Sequence, residues 1–260
     1  MTILNKIVEY KLTEIKENKH KVGIPELEKS EFYKKMPYSL VKNLKIKKPG
    51  IIAEFKRKSP SKGIINDKVK VEEVTQKYVK AGVAGLSVLT DTNFFGGTNE
   101  DLIKARKVNQ IPILRKDFII DEYQITEAKA IGADVILLIA SILPKERIED
   151  LAKFAKSLGL EVLFEIHNKE ELDKLNNYID IVGVNNRNLN TFEVDIQTSI
   201  NLFEAIPGDF LKISESGISN IENIRTLKLR GFHGFLIGEN FMKTDNPGKA
   251  CMDFIKELKA

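Results

Sequence analysis

Residues 51–56 alternate in face at period two. Ile52, Glu54 and Lys56 therefore lie on one side of a predicted strand, and Ile51, Ala53 and Phe55 on the other. The run Ser59-Pro60-Ser61-Lys62-Gly63 then breaks the strand into a loop. Taken alone, this strand reads as a sheet edge with both charges in water. Its charged face looks into a cavity only if the rest of the chain closes round it. Further strand signals start near Gly85, Ile111, Asp134, Glu161, Asp180, Leu211 and Gly234, separated by amphipathic stretches such as Ile148, Leu151, Ala152, Ala155 and Leu158. Gly82, Gly132, Gly159 and Gly231 suit the C-termini of such helices. Residues 51 to 234 span 183 positions in seven intervals, about 26 each, which is the length of one βα unit.

Eight such units predict an α/β chain folded as a (β/α)8 TIM barrel. Ahead of them, Ile3, Leu4, Ile7, Val8, Lys11, Leu12 and Ile15 follow helical spacing, and a Lys-rich segment runs from Ser30 to Lys48 before Pro49-Gly50 closes the stretch. We read residues 1–48 as an N-terminal helical extension whose apolar stripe packs on the barrel, and residues 49–260 as the barrel, within one domain overall. A doubly wound sheet is the competing architecture. It would usually carry a Gly-rich dinucleotide loop after its first strand, and neither Gly-x-Gly-x-x-Gly nor a Walker pattern occurs.

With 42% apolar residues among 260, the chain can bury a substantial core. The net charge of +4 is a small difference between 41 basic and 37 acidic residues, so nothing marks a general polyanion binder, while small anionic substrates stay open. No nucleic-acid-binding pattern appears. The longest apolar run, residues 135–140, is far short of the ~20 residues of a membrane span. Glu9, Glu14 and Glu17 fit neither a secretory signal nor a transit peptide, and the single Cys251 fits a reducing compartment. The expectation is a cytoplasmic monomer with no nucleic-acid or membrane partner.

Outward faces of barrel strands meet helices and are apolar, whereas inward positions near the strand C-termini line the site. The fifth strand sends Val162, Phe164 and Ile166 outward and Leu163, Glu165 and His167 inward. Inward positions of the sixth are Ile181, Gly183, Asn185 and Arg187; the third adds Leu114 and Lys116, the seventh Ile213 and Glu215, the eighth Leu236 and Gly238. Glu54, Lys56, Lys116, Glu165, Asn185, Arg187 and Glu215 thus converge on one mouth. Because buried charges cost several kcal/mol unless paired, they form either a stabilising salt-bridge layer or a site. Glu165 and His167 suggest two metal ligands, but with three histidines and no third-ligand spacing no metal is expected. The turns at Ser216-Gly217 and Gly238-Glu239 suit phosphate held by backbone N–H groups, with Ser59 and Lys58 as added donors. Phe94, Phe95, Phe118, Leu137, Ile139 and Pro60 supply apolar wall; with Arg187 and Lys56 they would suit an aromatic ring bearing a carboxylate.

The motifs AEFKRKSPSKG (53–63), LTDTNFFGG (89–97), PILRKDFIID (112–121), ADVILLIA (133–140), EVLFEIH (161–167), GVNNRNL (183–189), SESGI (214–218) and FLIGE (235–239) together resemble those of indole-3-glycerol-phosphate synthases. The resemblance spans nearly the whole chain. It implies cofactor-free closure, decarboxylation and dehydration of the phosphosugar 1-(2-carboxyphenylamino)-1-deoxy-D-ribulose 5-phosphate in tryptophan biosynthesis. It further implies that Lys116 is the general acid of ring closure, that Lys56 binds the anthranilate carboxylate with Arg187, and that Glu165 and Glu54 are catalytic carboxylates. By the same resemblance Asn185 and Glu215 hold sugar hydroxyls, and Ser59, Ser216, Gly217, Gly238 and Glu239 surround the phosphate. On the residues alone, a Schiff-base aldolase using Lys56 or Lys116 and a non-catalytic binding module stay open.

Overall fold

Eight parallel strands close into a barrel: β1 (Gly50–Phe55), β2 (Gly85–Leu89), β3 (Ile113–Lys116), β4 (Val135–Ile139), β5 (Glu161–Ile166), β6 (Ile181–Asn185), β7 (Leu211–Glu215) and β8 (Gly234–Ile237). Each pairs with its neighbours in chain order, and β1 closes the ring by pairing with both β2 and β8. The computed structural model describes residues 2–188 and 191–260. Strand starts fall within two residues of those predicted, because period-two patterning ties each register to burial.

The two faces of each strand enter different cores. Ile51, Ala53, Phe55, Val162, Phe164, Val182 and Phe235 join the layer between strands and helices. Ile52, Leu114, Leu137, Leu163, Ile181, Ile213 and Leu236 fill the barrel interior. Each fully buried Leu or Ile adds about 1.5–3 kcal/mol of hydrophobic stabilisation, so a one-residue register slip would forfeit both layers together. Among the described residues, helices follow the strands with one departure: the link after β5 is the 3-10 turn Glu170–Lys174. Gly82, Gly132 and Gly231 end their helices at φ of 94°, 94° and 111°, where a side chain would be strained.

The N-terminal extension covers both ends of the barrel. Its first helix, α1 (Ile3–Lys21), buries Ile7, Lys11 and Ile15, and Ile3, Leu4 and Ile7 reach the cavity at the strand C-termini. At the other end the helix Leu40–Ile46 plugs the barrel floor with Leu40 and Leu44. Leu44 Cδ2 lies 2.6 Å from where a Cβ would stand on Gly50 or Gly234, and Leu40 Cδ1 2.7 Å from that of Gly85. These three strands begin on glycine because the plug occupies the side-chain space. Glu161, at the start of β5, fixes the plug by accepting from Ser39 Oγ and from the Leu40 and Val41 N–H groups at 2.8 and 3.0 Å. Among the described residues, no helix is long and apolar enough to cross a membrane.

Candidate active site

The inward C-terminal residues of β3, β5 and β7 meet at one ammonium. Lys116 Nζ donates to Glu165 Oε2 at 2.7 Å and to Glu215 Oε2 at 2.8 Å. Room for Glu215 comes from Gly183 on β6, where a Cβ would run into the carboxylate. A second pair stands at the end of β1, where Lys56 Nζ donates to Glu54 Oε1 at 2.7 Å and Ser87 Oγ donates to Glu54 Oε2 at 3.3 Å.

Burial works against a charged Lys116, but the Glu165, Glu215 and Glu54 carboxylates outweigh it and raise its pKa. For Glu165, burial favours the neutral acid, yet Lys116 and His167 hold it below the usual carboxylate range. Glu215 goes the other way. Burial, with the like charge of Glu165, overcomes Lys116 and pushes its pKa up. Two carboxylates on one ammonium are thus driven apart in acidity, the arrangement that separates acid and base roles. Among the described residues, Glu215 Oε1 is buried without a hydrogen-bond partner.

Above these pairs lies a cavity of about 590 Å³. Glu54, Lys56, Ser59, Lys116, Phe118, Leu137, Ile139, Glu165, Asn185, Arg187, Glu215, Ser216, Gly217, Gly238 and Glu239 all line it. Phe94 does not; of the two phenylalanines expected in the wall after β2, Phe95 alone lines it. The cause is the short turn Thr92–Phe95, capped by Asp91, which points Phe94 edge-on at Tyr10 of α1 with ring centroids 5.9 Å apart. Phe95 instead packs on Phe118 at 5.9 Å. Lys58 also leaves the expected site, since its Nζ donates to the Asn93 carbonyl at 2.6 Å, and Lys62 lines the cavity instead. Glu239 stands 3.8 Å from both Lys62 Nζ and Arg187 Nη2, bridging the loops after β1 and β6. Ser216 and Gly217 carry the chain through the left-handed region at φ of 65° and 71°. Such backbone in a non-glycine residue costs of order 1–3 kcal/mol and concentrates at functional sites.

The family model for indole-3-glycerol phosphate synthase matches residues 4–254. An indole-3-glycerol phosphate synthase from Bacteroides thetaiotaomicron is 46% identical over 257 residues, 99% of each chain. The chain belongs to the indole-3-glycerol phosphate synthase family. Among solved structures, 3-hexulose-6-phosphate synthase from Salmonella typhimurium aligns with a TM-score of 0.63 at 13% identity, over 81% of this chain and 98% of its own. A mutant tryptophan synthase α-subunit from Pyrococcus furiosus aligns at 0.62 and 16%, over 82% and 98%. At such identities these two show the barrel alone.

As an indole-3-glycerol phosphate synthase, the chain is a carboxy-lyase of tryptophan biosynthesis that acts on a phosphosugar. Within this family framework, sequence reasoning missed the contributions of α1 and of Asn186 to the mouth. Ile3, Leu4 and Ile7 roof it from α1, and Lys11 fastens that helix; the only signal was a lysine inside an apolar stripe. Asn186 faces away from the cavity and donates to Ser214 Oγ and the Ser216 carbonyl at 2.9 and 3.0 Å, bracing the β7 turn. Leu189, which ends the GVNNRNL motif, lies outside the described residues.

Gly238 has a neighbour the motif did not announce. A Cβ there would lie 2.5 Å from Glu54 Oε1 and 3.0 Å from Glu54 Cβ. Gly238→Val is therefore expected to push Glu54 off Lys56, lowering kcat about tenfold as well as raising KM. Steady-state kinetics that show a change in KM alone would contradict this coupling.

Proposed function

We propose that Lys116, Glu165, Lys56 and Glu54 carry the indole-forming reaction, with Lys116 as the acid that protonates the ketone oxygen while the anthranilate ring carbon attacks the ketone carbon. The single observation behind this reading is the Lys116 ammonium enclosed by Glu165 and Glu215 at the floor of the cavity. A lysine so flanked stays protonated until substrate draws the proton away.

Lys56 and Arg187 bind the substrate carboxylate, and the Phe95, Phe118, Leu137 and Ile139 wall takes the ring. Breaking the bond to the carboxylate returns its electron pair to the ring and releases carbon dioxide. Loss of the protonated hydroxyl as water then completes the indole, and Glu165 receives the proton that leaves the ring system. One proton is consumed overall, because a carboxylate leaves as neutral carbon dioxide. Asn185 and the unpaired Glu215 Oε1 hold the sugar hydroxyls. Backbone N–H groups at Gly217 and Gly238, with Ser59 and Ser216 and with Glu239 alongside, surround the phosphate. Anchors at both ends of the substrate leave the two reacting carbons at near-attack distance.

Glu165→Gln keeps the shape of the side chain and removes its charge. It is expected to lower kcat by about 10² with a smaller change in KM. A kcat within about threefold of the parent would remove Glu165 from proton transfer.

A further inference from the structure

His167 follows Glu165 by two residues on the inward face, yet it does not line the cavity; it stands behind Glu165. Its partly buried ring lies between two carboxylates, with Nε2 3.5 Å from Glu165 Oε1 and Nδ1 3.6 Å from Glu171 Oε2. Glu171 is fixed in turn, because its Oε2 accepts the His167 backbone N–H at 2.6 Å and its own N–H donates to Asn168 Oδ1 at 3.1 Å. The other oxygen of Glu165 holds Lys116. The charged groups facing the ring are Glu165 on β5, Glu171 on the 3-10 turn and, more distantly, Glu215 on β7, with Lys116 of β3 behind Glu165.

A neutral imidazole has one N–H and one bare nitrogen, so between two carboxylates it would set a lone pair against a lone pair on one side. An imidazolium presents a donor to each. Among the described residues neither ring nitrogen has a hydrogen-bond partner, so the two carboxylates are the groups each nitrogen faces, at ion-pair distance. From Glu171 to Glu215 the groups then alternate as carboxylate, imidazolium, carboxylate, ammonium, carboxylate.

We propose that His167 is a positioning residue: as an imidazolium seated between Glu171 and Glu165, it keeps the Glu165 carboxylate ionised and turned toward Lys116. The direction of its titration agrees. Burial works against the charged ring, but Glu171 and Glu165 outweigh it, and the pKa is raised above the ordinary 6.5. The consequence for the reaction rests on the proton-transfer role of Glu165; the charge of the ring does not.

The chain has three histidines, His20, His167 and His233, so ¹⁵N-histidine NMR reads the ring directly once the other two signals are assigned with His20→Gln and His233→Gln. The expected spectrum has both His167 nitrogens protonated at pH 6.5, with a midpoint above the usual ~6.5 that falls by about one pH unit or more in Glu165→Gln. His167→Asn is expected to lower kcat about tenfold with little change in KM. It should also move the acid limb of kcat to higher pH, because Glu165 takes a proton more readily once the imidazolium is gone. A ring already neutral at pH 6, or a midpoint indifferent to Glu165→Gln, overturns the proposal even if His167→Asn does not fold. A ring that titrates as expected while Glu165→Gln retains full kcat supports the imidazolium and overturns instead the proton-transfer role of Glu165.

Discussion

Lys116→Met is expected to lower kcat by about 10²–10⁴, the range lost when a positioned general acid is removed. Methionine keeps most of the stem volume on the inward face of β3, so the barrel interior built around Leu114 and Leu137 stays filled. Glu165 and Glu215 then face each other without a cation, and like charges that close do not both stay ionised. The folded variant answers by taking up a proton on the pair, so its stability falls as pH rises above the ordinary carboxylate range toward the raised folded value. KM changes less, because Lys56, Arg187 and the turns after β7 and β8 still hold the two ends of the substrate. Steady-state kinetics with circular dichroism on the same sample checks both parts. A folded variant with kcat within about tenfold of the parent would mean that another group protonates the ketone.

The second large effect lies outside the cavity. Lys11 Nζ is fully buried 2.9 Å from Glu14 Oε1, 3.0 Å from Asp91 Oδ2 and 2.9 Å from Asp117 Oδ1, tying α1 to the loops after β2 and β3. Asp91 caps the turn that carries Phe95, and Asp117 follows Lys116 directly. The clamp therefore joins the roof of the cavity to its aromatic wall. Lys11→Met leaves buried carboxylates uncompensated, and breaking such a cluster costs about 3–5 kcal/mol. Denaturant midpoints should fall accordingly, with kcat/KM lowered because Ile3, Leu4 and Ile7 lose their seat.

The pH dependence of this clamp has a definite sign. Burial would raise the Asp117 pKa, but Lys11 and Arg115 overcome it and bring it from 3.8 to about 2. A carboxylate depressed in the folded state contributes stability that is complete above its unfolded value and is lost as pH falls through the folded one. In the parent, this contribution fades between about pH 4 and pH 2. In Lys11→Met the carboxylates left behind take up protons more readily, so the deficit should be smaller at pH 5 than at pH 8. An equal deficit at both would show that packing, and not charge, is what Lys11 supplies.

What could be read from the sequence follows from how local each signal is. Inward faces of the strands that carry the charged groups were legible because side-chain direction repeats at two and each face meets a different core. The charged positions Glu54, Lys116, Glu165 and Glu215 followed from that alternation alone. Loop geometry was not legible in the same way. Whether Phe94 or Phe95 enters the cavity depends on how Asp91 caps a four-residue turn, and Asp91 is in turn fixed by Lys11 some eighty residues earlier. The same holds for His167, whose place was legible from the period of β5, but whose second carboxylate comes from a 3-10 turn where a helix was the regular expectation. In the sequence Gly50 read as part of a break and Gly85 and Gly234 as strand starts; the Leu40 and Leu44 plug is what explains all three.

The most direct measurement is a crystal structure with a substrate analogue whose ketone is reduced to an alcohol, so that ring closure cannot occur. The account predicts the new hydroxyl within hydrogen-bond distance of Lys116 Nζ, the carboxylate on Lys56 and Arg187, and the phosphate against the backbone N–H groups of Gly217 and Gly238. A complex in which that hydroxyl lies on Lys56, with Lys116 still closed off between Glu165 and Glu215, would contradict it.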